Sequence, residues 1–186
     1  MILSIFIHNG SFHISNFELS VEYGNSKGRA LADSLPLYLK DFLSKIDRNK
    51  ISRILYPSGP GSFTTMRMVH SIVKGISIAS NKVDFFGISS FLTYYYFIKK
   101  DCFISIPTMR GDFFVCGFVA DNQTIEYIAN ESKGFATNSD YFNGNNFALD
   151  QIYIFKSKLA TNKMQINSHD IVINYGFTPR YTNKKA

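Results

Sequence analysis

Gly59-Pro60-Gly61-Ser62-Phe63-Thr64-Thr65-Met66-Arg67-Met68 is the stretch on which the fold turns. Before it, Ile51 to Tyr56 is a short apolar run with the character of a buried strand, ended by Pro57. After it, Met66, Val69, Ile72, Val73 and Ile76 recur at helical spacing, which predicts a helix over 63–79. A Pro/Gly-rich turn from strand to helix brings backbone N–H groups to the helix N-terminus, where the helix dipole favours an anion. Ser62 and Thr64 are placed to cap that helix or reach a phosphate oxygen. Arg67, about one turn in, can meet the same anion or a partner's carboxylate. Turns of this composition also join strands to helices where nothing binds. The run lacks both the Gly-Lys-Ser/Thr ending of a P-loop and the spacing of a dinucleotide fingerprint.

Upstream, residues 2–7 (ILSIFI) predict a buried strand, and Asn9-Gly10 is a strong tight-turn signal. Phe12 and Ile14, then Phe17, Leu19 and Val21, alternate in two phases with a break around Asn16, so the chain opens as a β-meander. Gly24 to Gly28 is loop-like, and Leu31, Leu35, Tyr38, Phe42 and Ile46 mark one face of a helix. Pro36 falls inside that pattern and is expected to kink the helix or begin a new first turn. Downstream, Val83 to Gly87 predicts a strand and Ser89 or Ser90 a cap for a third helix through Phe97. Cys102–Pro107, Phe113–Val119 and Thr124–Ile128 predict three strands, with a turn at Asp121-Asn122. Asn138 to Asn146 reads as loop, and Gln151–Phe155 and Ile171–Asn174 as edge strands. Strands, then β-α-β-α units, then strands again predict an α/β fold, a mixed sheet with flanking helices. A lobe boundary is expected near residue 101, giving lobes of 1–100 and 101–186.

Composition excludes several classes. The 186 residues are 45% hydrophobic and 18% charged, enough for a packed core and too apolar for a disordered chain. The net charge of +6 is spread along the sequence, with one local cluster at Arg180, Lys184 and Lys185. Cys102 and Cys116 make neither a disulfide framework nor a zinc site, and His8, His13, His70 and His169 are too scattered to suggest a metal. No segment has the length of a membrane span, and Met1 to Ile7 has no basic flank, so the expectation is a cytoplasmic protein without a membrane partner.

Gly59-Pro60-Gly61-Ser62-Phe63-Thr64, with Arg67 and then Lys74-Gly75 at their offsets, resembles the signature of the TsaB (YeaZ) family. The resemblance covers roughly residues 28–120 and implies the actin-like ATPase (ribonuclease H-like) fold, here with a truncated or degenerate second lobe. It implies a non-catalytic scaffold subunit that pairs with a TsaD-like catalytic subunit and a TsaE-like ATPase. That assembly transfers threonylcarbamoyl to adenosine in the anticodon loop of transfer RNA, which the subunit meets only through the complex. Pairing in the family uses the first two helices, here about 30–46 and 63–79, and the isolated subunit can pair with itself. The candidate interface is Arg67, Met68, Lys74 and Ile78, with neither metal nor cofactor expected. Departures fall on nucleotide-site positions. Phe6, Ile7 and His8 stand where the family has Asp-Thr-Ser, Gly28-Arg29-Ala30 where it has a His, and Thr108-Met109-Arg110 where it has Asp-Ala-Arg. Thr65 and Val69 replace small glycines.

Two other classes compete. A small-molecule kinase of the same superfamily needs an acidic residue near the first strand to position magnesium, and residues 2–14 contain neither Asp nor Glu. An RNA-binding module would use the run Tyr94-Tyr95-Tyr96-Phe97 with Lys99 and Lys100, aromatic and basic groups suited to stacking bases and holding phosphates. At helical spacing the same run also suits a core face with a solvated end.

Overall fold

The computed structural model describes residues 1–8, 10–24, 29–61, 63–79, 83–98, 102–107, 113–119, 122–128, 135–136, 147–156 and 166–167. The elements in chain order are β1 (Ile2–His8), β2 (Ser11–Ser15), β3 (Ser20–Tyr23), α1 (Arg29–Ser44), β4 (Arg53–Gly59), α2 (Phe63–Ala79), β5 (Asp84–Ser89) and α3 (Ser90–Ile98). They continue with β6 (Cys102–Pro107), β7 (Phe113–Val119), β8 (Asn122–Ile128), β9 (Phe135–Ala136), α4 (Phe147–Lys156) and β10 (Ile166–Asn167). The first sheet has the order β10-β5-β4-β1-β2-β3 and the second β8-β7-β6-β9. β1 pairs antiparallel with β2 and parallel with β4, so the first sheet is mixed, as expected.

The alternation along β1 separates two cores. Leu3, Ile5 and Ile7 face one side, where they pack with Leu31, Leu35 and Phe42 of α1 and with Val69 and Val73 of α2. Phe6 faces the other, packing with Phe91 and Leu92 of α3, Phe147 and Ile152 of α4, and Ile104 and Ile106 of β6. A strand buried on both faces is largely apolar and excludes charge, and ILSIFI carries none. Each fully buried Leu, Ile or Phe side chain contributes about 1.5–3 kcal/mol, so these two layers dominate stability. The free Cys116 is buried in the second sheet, directly opposite Ile104.

Several sequence expectations change. The helix at α1 runs through Pro36, which lies on its exposed side, where the carbonyl left without an N–H partner can be hydrated. The helix ends at Ser44, so half-buried Ile46 lies beyond it. Pro57 does not end β4. Pairing with β1 stops at Leu55, so from there β4 is bonded only to β5 and Pro57 costs nothing on the other side. Residues 151–155, expected as a strand, belong to α4. Phe147, Ala148, Gln151, Ile152 and Phe155 recur at helical steps, and the apparent alternation of Gln151-Ile152-Tyr153-Ile154-Phe155 is a short accident within that stripe. The expected strand at 171–174 and loop at 138–146 lie outside the described residues, as does Thr108-Met109-Arg110. Both α4 and β10, from the second half of the chain, return to the first sheet, β10 bonding to β5 and α4 packing on β1, β2 and β4. Among the described residues no helix is long and apolar enough to cross a membrane.

Candidate functional site

The turn between β4 and α2 is built on its glycines. Gly59 has φ +102°, a conformation that residues with a side chain rarely adopt, and a cis peptide bond joins it to buried Pro60. At Gly61 a Cβ would lie 3.0 Å from Cε of Met66, itself only 4% exposed. The turn therefore folds down onto the first turn of its own helix. Thr64 is exposed on that first turn, and Phe63 begins the helix; Ser62 and the Phe63 side chain lie outside the described residues.

From there α2 divides into two faces. Met66, Val69 and Val73 are buried beneath it, and Met68, Ile72 and Ile76 pack half-buried against the same core. The opposite face is a single stripe of exposed residues, Thr64, Arg67, Ser71, Lys74, Gly75 and Ile78. Three of the four residues expected at an interface, Arg67, Lys74 and Ile78, thus share one line along the helix, while Met68 sits on its shoulder with its side chain toward the core. Ile78 is 75% exposed, and Leu37 on α1 is 66% exposed; these are the most exposed large aliphatic side chains described. An exposed helical glycine adds a further feature, since a Cβ at Gly75 would meet no atom within 4 Å.

At the same end of the first sheet, on the neighbouring strand β1, the β1–β2 hairpin carries a cluster that sequence reading left scattered. Register pairs His8 with Ser11 and Phe6 with His13, so the two histidines lie on one face of adjacent strands. The Phe147 ring covers both, 4.7 Å from His8 and 5.5 Å from His13 between centroids. His8 Nδ1 shares a 3.0 Å hydrogen bond with the Tyr94 hydroxyl. Burial, then the neighbouring His13, lowers the His8 pKa from 6.5 to about 4, with Glu22 acting in the opposite direction. Burial lowers His13 to about 4 as well, again against Glu22, which faces it on β3. Burial raises the Tyr94 hydroxyl above the usual phenol range. Beside the cluster, Ser4 donates a 2.8 Å bond to Gln151 Oε1, tying β1 to α4 in the core. No three His, Cys, Asp or Glu side chains among the described residues are grouped to hold a metal. The dipeptide Asn9-Gly10 in the sequence was the available signal, because a tight hairpin turn fixes which residues of two strands face each other.

The aromatic run on α3 divides as a core helix does. Tyr94 and Tyr95 are buried, and Tyr96 lies half-buried and parallel to Tyr153 of α4, with centroids 6.5 Å apart. Lys99 and Lys100 lie outside the described residues.

No protein-family profile matches this sequence, and no curated protein sequence matches it. Solved structures do. YeaZ from Pseudomonas aeruginosa superposes with a TM-score of 0.64 at 12% identity, covering 94% of this chain and 98% of its own. An uncharacterized protein with similarity to peptidase YEAZ from Pseudomonas aeruginosa superposes with a TM-score of 0.50 at 14% identity, over 67% of this chain and 62% of its own. At these identities the likeness is one of fold, and the α/β architecture is the actin-like one that the family resemblance of the segment from Gly59 to Arg67 implied.

Proposed function

We propose that this chain is a non-catalytic pairing subunit, holding a TsaD-like catalytic subunit, with a TsaE-like ATPase, in an assembly that threonylcarbamoylates transfer RNA. The observation that carries the reading is the stripe on α2, which places Arg67, Lys74 and three-quarters-exposed Ile78 on one line of a helix. An isolated aliphatic group needs no explanation. Ile78 one turn from Lys74 and in line with Arg67, with a bare glycine step and the turn of a YeaZ-like fold, is a more specific arrangement. Met66, Val69 and Val73 already supply the intramolecular face, which leaves exposed Lys74, Gly75 and Ile78 to meet a second helix.

A supporting observation lies at the β1–β2 hairpin. A nucleotide-binding loop there would present hydroxyls or a carboxylate to phosphate and magnesium. This hairpin instead packs His8 and His13 beneath Phe147, and Ser11 spends its hydroxyl on the carbonyl of Gly24 at 3.1 Å.

The test is co-purification of the chain with the TsaD-like protein of the same cell, followed by titration of the pair. Lys74→Glu with Ile78→Glu is expected to weaken pairing about 100-fold or more, because charge is placed at the centre of the contact. Both side chains are exposed, so folding stability should move by no more than about 0.5 kcal/mol per substitution. Undiminished pairing in a correctly folded double variant would remove α2 from the interface. Two well-folded proteins that never associate would remove the pairing function itself.

Gly75 gives an independent check. Within a helix, alanine is favoured over glycine by about 0.8–1 kcal/mol, and Gly75 has open space around it. Gly75→Ala is therefore expected to stabilise the isolated chain by about that amount, raising its thermal midpoint by about 2–4 °C. If the glycine admits a partner helix, the same variant will pair more weakly while melting higher. Stabilisation without weakened pairing would place the partner helix elsewhere.

A further inference from the structure

The contact between the β1–β2 hairpin and α4 is built around groups that can carry charge, in a place that tolerates none. His13 is 3% exposed, and neither of its ring nitrogens has a hydrogen-bond partner among the described residues. Phe147, fully buried at the start of α4, contacts His8, His13, Phe6 and Tyr94. Across the same contact Ser4 bonds Gln151, whose Nε2 is buried without a hydrogen-bond partner among the described residues.

We propose that this contact is an acid-sensitive latch, in which charging of His8 and His13 releases α4 from the β1–β2 hairpin while the α1–α2 side of the sheet stays folded.

The groups around the pair set the direction. From β3, Glu22 stands opposite His13 and favours its charged form. From α3, the Tyr94 hydroxyl bonds His8, and its raised pKa keeps it neutral. From α4 come Asp150, with a buried Oδ2, and uncharged Gln151. The histidines oppose one another, so the first proton makes the second harder to add. Glu22 is solvent-exposed and does not outweigh burial. Opening hydrates both rings and returns them toward 6.5, so protons bind the open form in preference. Closure is fully favoured above about pH 6.5, weakens as pH falls toward 4, and weakens no further below that. At pH 5 each histidine shifts the opening equilibrium about 30-fold, and the pair about 1,000-fold. The α1–α2 side packs Leu3, Ile5 and Ile7 against apolar side chains, and the histidine that α2 carries, His70, is only half-buried.

Amide hydrogen exchange on the full chain at pH 7 and pH 5, corrected for intrinsic rates, tests this. Amides of Phe147–Lys156 are expected to lose about 1,000-fold in protection on acidification, those around Val69 and Val73 far less. In His13→Phe the loss at α4 should shrink to about 30-fold. Parallel loss in α2 and α4, or an unaltered response in His13→Phe, would overturn the latch. If that variant does not fold, the imidazole resonances of the native chain decide. Rings still neutral at pH 5 in the α4-protected form sustain the latch; rings half-protonated near pH 6.5 with α4 still protected overturn it.

Discussion

Phe147→Ala is expected to lower the free energy of unfolding by about 3–5 kcal/mol, the usual cost of emptying a fully buried phenylalanine site. The ring is 0% exposed, and its neighbours are a phenylalanine, a tyrosine and two histidines, anchored on β1, β2 and α3. Such walls cannot collapse together to refill the space, which puts the loss in the upper part of that range. Urea denaturation at pH 7 checks it through a lowered midpoint at unchanged slope. Phe147→Leu, which keeps more of the volume, should lose about half as much. The variant also has a pH signature. Water admitted beside His8 and His13 relieves their burial and brings their pKa values up from about 4 toward 6.5. Phe147→Ala should therefore begin less stable at pH 7 and lose less than the native chain on going to pH 5. A loss below about 1 kcal/mol at pH 7 would mean that α4 is not docked on the sheet.

Gly87→Val is the second large effect, expected at about 3 kcal/mol or more. Gly87 lies opposite Tyr56 in the parallel pairing of β4 and β5, and a Cβ there would stand 2.8 Å from Cβ of Ser58 and 3.3 Å from the Tyr56 hydroxyl. A Cβ atom is fixed to the backbone and cannot swing away, so the two central strands must separate. Gly87→Ala already costs about 1–3 kcal/mol as overpacking, and the branched residue exceeds it despite a better intrinsic fit to strands. Thermal melts of both variants check the order. If valine proves less harmful than alanine, propensity governs the site and packing does not.

The elements legible in the sequence were those whose apolar pattern ran long enough to define a period. The 63–79 helix and the 102–107 and 113–119 strands have the expected limits. Residues 151–155 were misread because five residues can alternate by chance, and the resolving residues, Phe147 and Ala148, precede them across Leu149 and Asp150. Pro57 was read as a stop because proline removes a ladder donor, yet whether that donor is needed depends on a neighbour 50 residues away in the sequence. Among the candidate residues, Arg67, Lys74 and Ile78 share a stripe because helical spacing alone determines it. Met68 falls on the core side because α2 is rotated by its packing on β1 and β4, which no local spacing reports. The histidine pair required strand register, a tertiary fact with only the Asn9-Gly10 turn as a local trace.

The return of α4 to the first sheet has a consequence for how the chain is born. Phe6, Leu55, Phe86, Ile88 and Phe91 form one apolar face, and Phe147, Ala148, Ile152 and Ile154 help close it. About fifty residues separate the end of α3 from the start of α4, so a ribosome working at about 5–20 residues per second spends roughly 2–10 s between them. During that interval the nascent strands and first three helices are already made, but the sheet has only part of its cover. Ribosome-bound intermediates of this length are the ones on which a holding chaperone would find its apolar target.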